Sequence, residues 1–215
     1  MLWAWERPEG LHFIDPATTG VAFLASTLTM TKQGVVERPR RWPIGAPPGT
    51  TLVATIRLEH ERGAPLEEAM EELVRRATRV AERPGLTGLQ LDFDATQSER
   101  WFYRRLLEQL RGRIAPELSL TITGLASWCL DDTWIDDLPV DAVIPQLYRM
   151  GPESAAIRLR LAGGFVPRPR LCREGLGITT DEPRIHRWAV PTVWAFHPRR
   201  WTPSAVADVR KEVDR

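Results

Sequence analysis

The spacing of apolar and polar positions switches repeatedly along this chain, from short apolar runs to stretches with apolar residues three and four apart. The short runs predict eight strands: Leu2–Glu6, Gly20–Thr29, Thr51–Leu58, Thr87–Asp94, Leu118–Leu125, Asp141–Tyr148, Gly175–Thr180 and Pro191–His197. Several are apolar throughout, as strands covered by helices are. Between them, Pro65–Glu82 lines up Leu66, Ala69, Met70, Leu73, Val74, Ala77 and Val80 at helical spacing and stops at Pro84-Gly85. A second helix follows a cap candidate, Ser98, and runs to Arg111 with Phe102, Leu106, Leu107 and Leu110 on one stripe. A third begins at Pro203-Ser204 and carries Val206 and Val209. The proline- and arginine-rich stretch Val36–Gly49 predicts a long loop or an irregular replacement for a helix.

Strands separated by crossovers predict an α/β fold, a compact (β/α)8 TIM-type barrel with irregular or shortened helices, sealed by its first and last strands. The alternative is an open doubly wound sheet, favoured by short connections such as Pro183–Ala189. With 215 residues, 43% hydrophobic and 27% charged, the chain is expected to form a single domain over 1–215. A net charge of +1 speaks against binding nucleic acid by phosphate neutralisation. No apolar run reaches the roughly 18–20 residues that cross a bilayer, so no membrane span is expected. The N-terminus shows no basic segment followed by an apolar one, and compartment and oligomeric state stay open. Cys129 and Cys172 sit in apolar contexts and are expected to be buried free thiols.

The chemistry concentrates on the fourth strand. In Leu89-Gln90-Leu91-Asp92-Phe93-Asp94, Gln90, Asp92 and Asp94 share one face and Leu89, Leu91 and Phe93 the other. The apolar face must pack on helices, which directs two carboxylates into the barrel at its C-terminal end, where barrel enzymes do their chemistry. Buried charge is costly, so such acids need partners or a function. The bland reading is that Asp94 or Ser98 caps a helix and Arg57 neutralises Asp92. Other strand ends add Glu6, Arg57, Trp128, Gln146, Tyr148, Arg149, Glu182, Trp194 and His197. Acids, amides and aromatic faces on one rim suit a sugar. Trp3 and Trp5 alternate with Ala4 and are expected to face the helices as core.

Several segments resemble a known family: Trp3-Ala4-Trp5-Glu6-Arg7-Pro8, Leu89 through Ala95, Thr121 through Trp128, Tyr148-Arg149-Met150-Gly151, and Gly177 through Pro183. Together they are similar to an uncharacterised bacterial family catalogued as a domain of unknown function. More distantly, the acid-bearing fourth strand, the Gln-x-Tyr sixth strand and the tryptophan on the eighth resemble chitinase-type glycoside hydrolase barrels. That resemblance implies a carbohydrate substrate and a catalytic glutamate two residues after the motif's last aspartate. Counted from Asp94, the position holds Thr96, so the acid falls to Asp94, with Asp92 tuning it and Glu6 or Glu182 as second carboxylate. Gln146 and Tyr148 would position the sugar, and Trp128 or Trp194 would stack on it. No cofactor or metal is implied.

Two alternatives stand beside hydrolysis. One is a barrel that binds glycan without cleaving it. The other is a magnesium-dependent phosphatase of haloacid-dehalogenase type, whose motif Asp92-Phe93-Asp94-Ala95-Thr96 matches, with Thr123 and the acids Asp131, Asp132 and Asp136 as further parts. The lysine that motif set requires is missing, since Lys211 is the only lysine after Asp94.

Overall fold

A computed structural model of the protein describes residues 1–130, 132–183 and 189–213. In chain order the strands are β1 (Leu2–Ala4), β2 (Glu9–Gly10), β3 (Val21–Thr31), β4 (Gly34–Pro39), β5 (Ile44–Gly45), β6 (Leu52–His60), β7 (Gly88–Asp92), β8 (Ser119–Leu125), β9 (Ala142–Gln146), β10 (Leu176–Thr179) and β11 (Val193–Phe196). The helices are α1 (Leu66–Ala81), α2 (Arg100–Arg111), α3 (Ala126–Leu130), α4 (Ser154–Ala162) and α5 (Pro203–Val213). All eight strands expected from the sequence are present.

They close into a barrel. The order is β1-β11-β10-β9-β8-β7-β6-β3, and β1 pairs in parallel with both β11 and β3. That closure removes the open-sheet alternative. Helices are irregular, as expected: none lies between β1 and β3 or between β3 and β6, and α3 has five residues. The connection at Pro183–Ala189 falls largely outside the described residues.

The stripe of α1 is buried as its spacing requires, except for half-buried Leu66, and acidic Glu67 and Glu68 in its first turn face the helix dipole favourably. The cap before α2 is Thr96 rather than Ser98. Glu99 reaches back to the Thr96 N–H at 2.7 Å, and the short 3-10 turn Gln97–Glu99 leads into the helix.

Val36–Gly49 is more ordered than a loop. β4 pairs antiparallel with β3 from Thr31↔Gly34 to Ser26↔Pro39, and β5 pairs with β2. The β-branched Val35-Val36 favours the strand, and Pro39 ends it for want of an N–H.

Two expectations about the core are corrected. Trp3 points into the barrel, where its indole N–H donates to Gln90 Oε1 at 2.8 Å. Leu2 and Ala4 take the outward positions. Gly177 makes room for this indole, since a Cβ there would lie 2.9 Å from the ring. Cys129 and Cys172 are joined in a disulfide that ties α3 to the 3-10 turn Arg170–Arg173. Both are buried as expected, but their Cα atoms are 5.9 Å apart, within bridging range.

The strands differ greatly in length. Ala4, the end of β1, is level with Phe23, so residues 24–31 of β3 continue beyond it for roughly 25 Å of strand. With β4 and β6 they form a wall on one side of the barrel mouth.

Candidate active site

Inside the barrel, β7 presents Gln90 and then Asp92, while Leu89 and Leu91 pack into the outer core. Gln90 accepts from Trp3 and from the Thr55 hydroxyl at 3.2 Å, and its amide donates to Thr121 at 3.4 Å. This buried polar layer is the floor on which the site stands. One step higher, Asp92 is buried and accepts a hydrogen bond from Thr123 Oγ1 at 2.6 Å. Burial pushes its pKa above the ordinary 3.8, opposed by the Thr123 bond, with Asp94 pushing the same way as burial and Arg57 against it.

Asp94 lies just past the end of β7 and is exposed. Asp92 and Asp94 line one cavity of about 380 Å³ with Arg57, Glu59, His60 and Thr29. Arg57 is opposite Asp92 in register and forms an ion pair with Glu59 at 2.9 Å. The side wall continues to exposed His60, whose Nε2 lies 2.7 Å from Oε1 of buried Glu99. Glu99 is thus engaged with His60 and Thr96 and turned to the outside of the barrel's end.

The other predicted residues divide into two groups. Gln146, Tyr148, Arg149 and Glu182 gather on the β9–β11 side. Tyr148 stacks on Phe196 with centroids 6.0 Å apart and meets the edge of Trp3 at 6.5 Å. Burial raises the Tyr148 pKa, and the negative charge of Asp92 adds to it. Arg149 has a left-handed backbone, φ 50°, lays its guanidinium over Phe196 at 5.3 Å and donates its N–H to Glu182. Glu182 is also paired with Arg158.

The rest do not reach the rim. Trp128 is 2% exposed and packs edge-on against Trp134 at 4.9 Å, because α3 folds back onto the core directly after β8. Trp194 faces inward but is buried low in the barrel against Trp3, at 5.7 Å. Phe196, two residues on, holds the rim position that the sequence assigned to a tryptophan. His197 has the opposite parity and points out. Its ring lies 5.1 Å from Trp201, its Nδ1 meets the Thr180 hydroxyl, and burial lowers its pKa. Glu6 accepts from the Arg41 N–H at 3.3 Å and does not line the cavity of Asp92 and Asp94. Glu59 is the third carboxylate there, legible only from its shared face with Arg57.

Among the described residues the parts required of a phosphatase are not assembled. Thr123 does meet Asp92, but Asp132 is paired with Arg100, and Asp132 and Asp136 line a separate cavity beside Cys129. Asp131 lies outside the described residues. Among the described residues no helix is long and apolar enough to cross a membrane.

No protein-family model and no curated protein matches the sequence. Among solved structures, the fold is similar to a fungal endo-β-N-acetylglucosaminidase of glycosyl hydrolase family 18, with TM-score 0.58 and 15% identity over 99% of this chain and 95% of that one. It is similar also to a family 18 chitinase from Chromobacterium violaceum, with TM-score 0.55 and 10% identity over 91% of this chain and 78% of that one. A chitinase from Rhizomucor miehei gives TM-score 0.53 and 12% identity over 83% and 68%. At such identities the likeness is one of fold alone, a closed (β/α) barrel shared with these enzymes.

Proposed function

We propose that the chain is a glycoside hydrolase that cleaves an oligo- or polysaccharide at the mouth of the barrel, with Asp94 as general acid and Asp92 as the anion beneath it. The observation that carries this reading is the stacked pair itself: a buried carboxylate held by Thr123 under an accessible one, on the fourth barrel strand. The end of β7 also supports it. Asp92 is the last acid on the strand, and Thr96 is taken up in the cap before α2. Counting two residues from Asp92 rather than from Asp94 puts Asp94 itself where chitinase-type barrels carry their glutamate.

In this scheme the Asp94 carboxyl protonates the glycosidic oxygen as the bond to the anomeric carbon breaks, the negative charge of Asp92 favours the oxocarbenium-like transition state, and water then bonds to the anomeric carbon and returns a proton to the Asp94 carboxylate. Arg57 and Glu59 meet substrate hydroxyls, and Tyr148 and Phe196 form the far side of the mouth. The activities of the three similar proteins, an endo-β-N-acetylglucosaminidase and two chitinases, make chains containing N-acetylglucosamine the first substrates to test.

The test is release of reducing ends from a glycan panel by wild type and Asp94→Asn. Metal-independent release that falls about 10²- to 10⁴-fold in the variant is expected for loss of a general acid. Equal release by both proteins would sink the mechanism. A non-catalytic glycan-binding barrel is the second reading, favoured by an aspartate, one methylene shorter, at the glutamate's position. It predicts a thermal shift with glycan and no cleavage.

A further inference from the structure

We propose that the mouth-facing side of the β4–β3–β6 wall is a binding platform for the continuing substrate chain, so that the protein selects long glycans over short ones. The inference rests on the glycosidase reading and adds to it where the rest of the substrate lies.

Register defines the surface. Arg38 is opposite Thr27, Thr27 opposite Arg57, and Arg57 opposite Asp92, so these four form one row across four strands on the inner face. One step higher, Val36, Thr29 and Glu59 form a second row that leads toward Asp94. The rows span three strand spacings, about 14 Å, which accommodates a run of linked sugar rings starting at the carboxylates.

The wall is backed and its inner side is open. Leu28, Met30, Ile56 and Leu58 pack outward into the core with α1, and Arg76 on α1 reaches Glu37 on β4 at 3.3 Å. On the inner side Val36 is 57% exposed and Arg38 is exposed. Val36 offers an apolar contact for the C–H face of a sugar, and Arg38 and Thr29 offer polar groups for its hydroxyls. Thr27, only 2% exposed on this same face, has a buried hydroxyl with no hydrogen-bond partner among the described residues. Such a group is costly to leave unpaired, and a ligand hydroxyl that parts the flanking Arg38 and Arg57 side chains would satisfy it. On the opposite side β9 stops at Gln146 and β10 at Thr179, and among the described residues no strand extends beyond them as β3 and β6 do, so the substrate chain is expected to leave Asp94 toward β4.

The test compares N-acetylchito-oligosaccharides, a disaccharide and a hexasaccharide, binding by calorimetry to Asp94→Asn and to the same protein carrying Val36→Asp and Arg38→Ala. Hydrolysis rates of the two sugars are compared with and without the wall substitutions in an Asp94 background, and melting temperatures check folding. The expected result is a loss of about tenfold or more in hexasaccharide affinity and kcat/KM with the disaccharide unchanged. Cleavage with no length dependence, or equal losses on both sugars, overturns the platform and leaves the glycosidase reading standing. Failure of the unaltered chain to bind or cleave any glycan overturns both.

Discussion

Thr123 donates a hydrogen bond from its hydroxyl to Asp92 across two adjacent strands, at 2.6 Å, where the acid is largely buried at the base of its cavity. A hydrogen bond to a charged group of this kind contributes about 1.5–3 kcal/mol. It favours the carboxylate against the burial that opposes it. In Thr123→Val the donor is gone and the Asp92 pKa rises further. The acidic limb of the pH–activity profile should then move to higher pH, with activity recovering at alkaline pH. A profile that drops in height without moving would show that Asp92 is not the group titrating in that limb.

Asp92 also links the site to stability. Its folded pKa lies above its unfolded value, so between the two the native state holds the extra proton, and stability falls as pH rises through that window. The cost is fully present above the folded pKa. Asp92→Asn, which keeps the shape and the Thr123 contact, should therefore melt higher than wild type at neutral pH. That gain should shrink as the pH falls toward 3.8, the ordinary carboxylate value. A variant that melts lower at every pH would contradict this assignment.

The Cys129–Cys172 disulfide closes a loop of 43 residues that contains all of β9 and α4. Its reduction should lower the stability by about 2–4 kcal/mol, read as a shift in the urea midpoint with and without reductant. Thiol titration of the unreduced, denatured protein checks the bond directly. Two reactive thiols would refute it.

The barrel was legible because each strand carries its own apolar run and each helix its own stripe, signals that do not depend on distant partners. Asp92 could be placed from parity alone, since Leu89 and Leu91 had to face helices. Trp3 could not. In Trp3-Ala4-Trp5 every residue is compatible with either face, and the group that decides, Gln90, is 87 residues away. The disulfide is hidden for the same reason. Trp194 and Phe196 share a face in the sequence, but which of them reaches the rim depends on the stagger of β11 against β1 and β10, which no local pattern encodes. The hairpin at β4 was masked by its prolines and arginines, although Val35-Val36 marked it.

The hydrogen bond from Trp3 to Gln90 joins the first strand to the strand that carries the acids, and β1 is held in place on its other side by β11. Chain order therefore acts on the timing of assembly. During synthesis the acids emerge long before β11, and the pairing of β1 with β11 that seals the floor beneath them waits until residues 193–196 have left the ribosome. A nascent chain therefore carries its carboxylates through the roughly hundred residues that separate Asp94 from β11 before the barrel can close around them.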